Sequence, residues 1–394
     1  MGKHTLRWGR LARGLGGLGA ALGVSIGLLF LLFGNRPTAM SIVQDNTPWG
    51  TYFYAVGRQI VAEATGRPVL FRGIAVPGME YAQFRSNHPG QEGKDYTMHT
   101  ADLYAQLAGY GFNVVRLPFD WGQLILAPNS ELNTVYLSQL DTIVNEYAAP
   151  NRLYVILDMH SYLRYWDGPN HWTSANASPW HQALLVETWR LLARHYADNP
   201  AVLGYEIMNE PNGQDGDSNW PAIAQRVIDA IRTVDQRHLI FVDGRAWSSS
   251  EAWERANGPV PFVRDTINPP RLVYVPHVYF NPDDNDRYRG ARPDLTLMRR
   301  RLEPAAAWFR RNAVPMWIGE SGVPNTRGWA ALLDCAFVEY YNPLGWGHLY
   351  WEASPWSQDL TRLGPLTLAV LQRHLANPVP DSGTAPTCAD LRGS

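Results

Sequence analysis

Two short segments carry residue types that chemistry can use. In Gly204-Tyr-Glu-Ile-Met-Asn209-Glu210-Pro211 an apolar run ends on a carboxamide and a carboxylate. Pro211 lacks an N–H and fixes its own φ, so a strand ladder stops there. In Trp317-Ile-Gly-Glu320 a second apolar run ends on another glutamate. Two carboxyl groups on two strand ends are the minimum set for cleaving a glycosidic bond. Other strand-like runs also end on polar or aromatic groups: Arg116, the pair Asp158 and His160, the pair His277 and Tyr279, and Trp351. Residues two apart share a strand face, so each of those pairs points one way.

Each residue alone has a plainer reading. Arg116 can neutralise a buried acid, His160 can be a satisfied core histidine, Trp351 can be core, and a glutamate before a proline is an ordinary turn. What favours chemistry is that all of them fall on the ends of strands in one reading of the chain. Glu206 shares parity with Glu210 and is expected to be structural, paired with an arginine. Asn209 and Glu210 are adjacent, so an ideal strand would send them to opposite faces; a twist or bulge is expected there.

The elements that must position these groups alternate. Strands are expected at 72–75, 113–117, 153–159, 202–208, 239–242, 272–278, 316–319 and 347–351, with amphipathic helices at 101–109, 184–196, 221–234, 304–312, 327–340 and 363–375. Eight β-loop-α units argue for a (β/α)8 TIM barrel, in which functional groups gather at the C-terminal strand ends. An open doubly wound sheet is the alternative, but no Gly-rich phosphate loop follows any strand. Ahead of the barrel, 58–61 and 69–71 flank Thr65-Gly-Arg-Pro68 and read as an N-terminal β-hairpin.

Length and composition agree. The chain has 394 residues, 45% hydrophobic and 18% charged, which suits one large core rather than a disordered chain. A net charge of -2 gives no sign of a nucleic-acid partner. The 16 tryptophans suit a groove that stacks sugar rings as well as a packed core. Lys3, Arg7, Arg10 and Arg13 precede an uncharged run from Gly14 to Asn35. That run is long enough for a bilayer, and the charge before it places the rest of the chain across the membrane. Residues 1–36 are therefore expected to be an uncleaved membrane anchor, with the catalytic domain periplasmic or extracellular. The alternative is a signal cleaved near Ala39 or Ser41 and a secreted protein. A linker at 37–49, a catalytic domain at 50–376 and a Pro- and Ser-rich tail at 377–394 complete the layout. Cys335 and Cys388 can form one disulfide in an oxidising compartment or remain two thiols, and nothing suggests a zinc site.

The chain resembles a family 5 glycoside hydrolase, of the clan with two glutamates on a (β/α)8 barrel. The matching segments are Asn113-Val-Val-Arg-Leu-Pro118, Leu157-Asp-Met-His160, Met208-Asn-Glu-Pro211, His277-Val-Tyr279, Ile318-Gly-Glu320 and Tyr350-Trp351. The resemblance implies Glu210 as acid/base and Glu320 as nucleophile of a retaining double displacement. It implies Arg116 and His277 as hydrogen-bonding partners of those acids and Tyr279 as a contact of Glu320. Asn209 would hold a 2-hydroxyl, His160 would line the site, and Trp351 would form its floor. No metal or organic cofactor is expected, and the partner is a β-linked polysaccharide met by a monomer. Ser161-Tyr-Leu-Arg164-Tyr-Trp166, Phe280-Asn-Pro-Asp283-Asp284 and Trp351-Glu-Ala-Ser-Pro-Trp356 are similar to loops of endo-β-1,4-glucanases, although Glu352 stands where a small residue is commoner. Mannanase, xylanase, β-1,3-glucanase and glycosphingolipid hydrolase are alternatives, as are a transglycosylase and an inactive carbohydrate-binding protein. Trp166, Trp172, Trp180, Trp247 and Trp356 are candidate platforms for sugar rings.

Overall fold

The computed structural model describes residues 47–84, 89–126, 131–168, 171–176, 178–212, 216–356, 359–378 and 385–392. The expected anchor at 1–36, most of the linker and part of the C-terminal tail lie outside the described residues. Among those described, no helix is long and apolar enough to cross a membrane.

In chain order the strands are β1 (Phe53–Val56), β2 (Gln59–Ala62), β3 (Arg72–Ala75), β4 (Val114–Phe119), β5 (Tyr154–Met159), β6 (Arg164–Gly168), β7 (His171–Ser174), β8 (Val202–Glu206), β9 (Leu239–Val242), β10 (Leu272–Tyr274), β11 (Trp317–Ser321) and β12 (Gly347–Tyr350). Eight of them form one parallel sheet in the order β10-β9-β8-β5-β4-β3-β12-β11. Its two edges meet through single bridges, Tyr274 to Met316 and His277 to Glu320, so the sheet is a nearly closed (β/α)8 barrel.

Alternation along the strands sorts the core into two parts. Val114, Tyr154, Ile156, Leu239, Phe241, Val273, Val275, Trp317 and Leu349 fill the barrel interior, where Phe53, Ile60 and Ala62 of the N-terminal hairpin join them. The other face packs against helices whose apolar residues recur at helical spacing. In the helix Trp220–Arg232 the buried set includes Trp220, Ile223, Ala224, Val227, Ile228 and Ile231.

Four expectations are corrected. The regular hairpin is β1–β2, turning at Gly57 with φ 57 rather than at Thr65–Pro68. The expected arms do touch, through Ala62 N–H to Arg67 O and Val69 N–H to Ile60 O, but make only one bridge, at Val61–Pro68, because Pro68 offers no N–H. The helix expected to begin at Pro304 spans Leu295–Arg311 and starts at Asp294, whose carboxylate accepts from the N–H groups of Thr296 and Leu297. The strands expected to run to Met208 and Val278 stop at Glu206 and Tyr274.

Cys335 and Cys388 are joined, across a sequence separation of 53. The tail is held further by Cys388 N–H on Asp334 and by Arg373, which bonds Asp334, Ala385 O and Pro386 O. Closing a loop of that length restricts the unfolded chain. The paired Cys335→Ser, Cys388→Ser variant is expected to lose about 2–4 kcal/mol in urea unfolding, and reductant should lower the wild-type midpoint but not the variant's.

Candidate active site

The polar strand ends converge on one guanidinium. Arg116, fully buried on β4, donates through Nε and Nη2 to both oxygens of Glu206 at 2.9 and 2.6 Å. Nη2 also donates to Asn209 Oδ1 at 2.7 Å and lies 3.1 Å from Asp158, and Nη1 donates to Glu320 Oε2 at 3.0 Å. Burial alone would lower the arginine's pKa; the surrounding Asp158, Glu206 and Glu320 more than offset it and hold it well above the usual value. Glu206 is thus the arginine's bidentate partner, as its sequence position suggested.

Two backbone irregularities turn the glutamates inward. The chain leaves the ladder after Glu206, and Glu210 adopts φ 42, a left-handed conformation before Pro211. Asn209 N–H still reaches Met159 O, so both Asn209 and Glu210 enter the site. In β11 the register slips between Ile318 and Ser321. Ser321 then faces outward to His348, and Glu320, which strict alternation from Trp317 would expel, faces in.

The two acids meet. One oxygen of each and a ring nitrogen of His277 all lie within 4.8 Å of one another. His277 Nδ1 is 2.9 Å from Glu210 Oε1 and 3.7 Å from Glu320 Oε2. Tyr279 donates its hydroxyl to Glu320 Oε1 at 2.6 Å. Burial raises Glu210 to about 8, with Arg116 opposing. Burial also raises Glu320, but there His277 and Arg116 pull back. Burial lowers His277 to about 4, so the imidazole is neutral at neutral pH.

The remaining expected groups complete the walls. His160 bonds Asp158 through Nδ1 at 2.8 Å, while its Nε2 faces the Tyr162 hydroxyl at 3.0 Å and Asn209 Nδ2 at 3.2 Å. Trp351 stacks on His160, centroids 5.3 Å apart and 17° between planes, with the Arg116 guanidinium 6.0 Å from its ring. A cleft of about 1050 Å³ opens over these residues, lined also by Trp247 and by Asp283, Asp284 and Asp286. Of the expected platforms, Trp247 lines it, whereas Trp180 and Trp356 are not among the described residues that do; the side chains of Trp166 and Trp172 lie outside the description. Glu352 is wholly buried and accepts from Ser354 N–H, so its carboxylate serves the loop.

Residues 63–357 match the family model for cellulase, glycosyl hydrolase family 5. The chain belongs to that family. Endoglucanase 3 of Fibrobacter succinogenes is 32% identical over 217 residues, 51% of this chain but only 30% of the relative's length. An endoglucanase of Paenibacillus polymyxa is 26% identical over 382 residues, 84% of this chain and 85% of the relative. The crystal structure of Pseudomonas stutzeri endoglucanase Cel5A in complex with cellobiose is similar at a TM-score of 0.71 and 28% identity, covering 85% of this chain and 98% of that one.

In this family 5 hydrolase one residue of the site, Asp243, has no place in the sequence analysis, and a second, Asp284, appears there only as part of a loop. Asp243, next after β9, accepts from Glu210 N–H at 3.0 Å. Asp284 accepts from Tyr279 N–H at 2.9 Å and from Ser249 at 3.0 Å, and pairs with Arg301 at 2.8 Å. Asp243 was findable, being a polar residue that directly follows the apolar Leu239-Ile-Phe-Val242; Asp284 sits in a loop where no periodicity speaks. The atoms of Glu210, His277 and Glu320 are near enough to ligate a cation, but Arg116 and Tyr279 already occupy both oxygens of Glu320.

Removing Arg116 strands its acids. Arg116→Leu is expected to cost about 3–5 kcal/mol in urea unfolding. The stranded carboxyls then hold protons more tightly folded than unfolded. The deficit is therefore smallest in acid and grows as pH rises through their ionisation.

Proposed function

We infer that this chain is a retaining endo-β-1,4-glucanase, with Glu320 as nucleophile and Glu210 as acid/base. The observation that carries the reading is the closeness of the two carboxyl groups, within 4.8 Å at their facing oxygens, across one open cleft. Retaining hydrolases hold their carboxyls about 5–5.5 Å apart, whereas inverting ones leave about 6.5–9.5 Å for a water between them.

Their surroundings divide the labour. Glu320 meets Arg116 and Tyr279 at its oxygens, and these hydrogen bonds favour the anion that attacks the anomeric carbon. Glu210, raised to about 8 by burial, keeps its proton at neutral pH and delivers it to the leaving oxygen. Once Glu320 is esterified, its repulsion of Glu210 vanishes, and Glu210 ionises to activate water. Asn209, set between Arg116 and His160, is suited to hold a sugar hydroxyl near the attacked carbon. Trp351 offers a flat floor to a pyranose ring.

The cellobiose in the Pseudomonas stutzeri structure and the endoglucanase relatives support β-1,4-glucan as substrate. Trp247 supports it too: 46% exposed, it stands in a left-handed turn, Ala246 to Ser248 at φ 56, 59 and 52, that presents its ring beside Tyr162. The catalytic domain extends over 50–376 in this reading and acts as a monomer. The N-terminal basic residues and apolar run support a membrane tether with the domain outside the cytoplasm, and the Cys335–Cys388 bridge supports an oxidising compartment. The mass of the mature protein separates an anchor from a cleaved signal.

Release of reducing ends from carboxymethylcellulose tests the activity. Glu320→Gln is expected to abolish it, and Glu210→Ala to lower it about 10²–10⁴-fold. Wild-type protein that binds cello-oligosaccharides yet releases no reducing ends would overturn the enzyme reading. The pH profile of kcat/KM should be a bell. Its alkaline limb falls near pH 8 as Glu210 loses its proton, and its acid limb lies above the ordinary glutamate range because burial raises Glu320.

A further inference from the structure

Asp243 touches Glu210 twice, once directly and once through an imidazole. It is fully buried at the end of β9, where its Oδ1 accepts from the backbone N–H of Glu210 at 3.0 Å. The same Oδ1 lies 3.4 Å from His277 Nε2, and His277 Nδ1 lies 2.9 Å from Glu210 Oε1. The three residues close a ring: main chain of Glu210, carboxyl of Asp243, ring of His277, side chain of Glu210. Among the described residues, His277 Nε2 and Asp243 Oδ2 are buried atoms without a hydrogen-bond partner; Nε2 faces Asp243 Oδ1 across this contact, and Oδ2 is the other oxygen of the same carboxyl.

We propose that Asp243 is a positioning residue that fixes the tautomer of His277 and thereby makes Glu210 the donor in its bond to that imidazole. The proposal rests on Glu210 being the acid/base. A neutral imidazole carries one N–H and one lone pair, and the bond made at one nitrogen decides what the other can do. Asp243 Oδ1 already accepts from Glu210 N–H and presents acceptor density to Nε2, which places the ring hydrogen on Nε2. Nδ1 is then a lone pair, and its 2.9 Å contact with Glu210 is a hydrogen bond when Glu210 brings the proton.

The other groups around the ring do not supply a competing arrangement. On the Nδ1 side, Glu320 Oε2 stands at 3.7 Å and already accepts from Arg116. On the Nε2 side, Gly319 leaves room where a Cβ would come within 3.0 Å, and the neighbouring Glu206 is taken up by Arg116. Arg116 and His160 lie farther off and bear on His277 as positive and neutral neighbours. A separation of 3.4 Å is long for a hydrogen bond, and contacts of this kind shorten when substrate closes the site. The direct bond has its own role, because it pins Glu210 in the left-handed conformation at φ 42 that aims its side chain into the cleft.

The test uses full-length protein with two substrates. A cello-oligosaccharide has a leaving alkoxide that needs a proton, whereas 2,4-dinitrophenyl β-cellobioside releases a phenolate that needs none. Asp243→Ala is expected to lower kcat/KM on the oligosaccharide about a hundredfold and to spare kcat/KM on the dinitrophenyl substrate, since that ratio reports the first step, in which only the oligosaccharide needs a proton. With Nε2 no longer engaged, His277 can carry its hydrogen on Nδ1 and donate to ionised Glu210, so the alkaline limb of kcat/KM should move to lower pH. Asp243→Asn keeps an acceptor oxygen and should return that limb towards its wild-type position. Equal losses on both substrates with an unmoved limb, or no loss at all, would overturn the proposal. The ¹⁵N chemical shifts of His277 in the wild-type protein read the tautomer without turnover: hydrogen on Nε2 supports the assignment, and hydrogen on Nδ1 sinks it. Wild-type protein that cleaves neither substrate would refute the hydrolase reading, and the nitrogen shifts would still decide the tautomer.

Discussion

A charged guanidinium inside a barrel is the constraint on which the site depends. Arg116 is out of contact with water and persists as a cation because Glu206, Asp158 and Glu320 surround it. The requirement runs both ways, since without it those buried acids would have no counter-charge. Glu206 takes the bidentate geometry and serves structure, leaving Arg116 Nη1 for Glu320 and Nη2 shared with Asn209. The strand ends are thereby tied to one rigid planar group, so β4, β5, β8 and β11 deliver their side chains to a common centre. A lysine, with a single compact charge, could not divide itself among so many partners.

Around that centre the two glutamates occupy different electrostatic settings although both are buried. Glu320 has a cation and a phenol on its oxygens; Glu210 has a neutral imidazole and the wall of the cleft. Environment rather than residue type separates the two carboxyl groups. The separation needs irregular backbone, because regular strands alternate and would hide one member of each adjacent pair. The register slip in β11 and the left-handed Glu210 both occur where a carboxyl must turn inward.

Much of this was legible beforehand. The eight strands, the barrel, the two glutamates and the six supporting residues came from apolar runs ending on polar groups, and a backbone irregularity at Asn209-Glu210 followed from their adjacency. Less visible were features that depend on distant partners. The helix through Pro304 was truncated in the reading because its start is set by Asp294 ten residues earlier. The β11 slip left no mark in Trp317-Ile-Gly-Glu-Ser321, since alternation shows only against a neighbouring strand. Trp180 and Trp356 looked equivalent to Trp247 in composition, and only the folded cleft distinguishes them.

The sequence by itself determined which residues could do chemistry and on which elements they ride. Hydrophobic periodicity and strand-ending residues are local properties, written within a few positions of one another. Tertiary structure alone decided distance and proton placement: that Glu206 takes Arg116 through both of its oxygens, that Glu210 and Glu320 approach within a sugar's reach, and that Asp243 closes a ring through His277. Those facts depend on strands far apart in the chain meeting in register, and on burial that raises one carboxyl more freely than its neighbour. Charge and hydrogen bonding act through space over a few ångströms, a range that the order of residues along a chain does not measure.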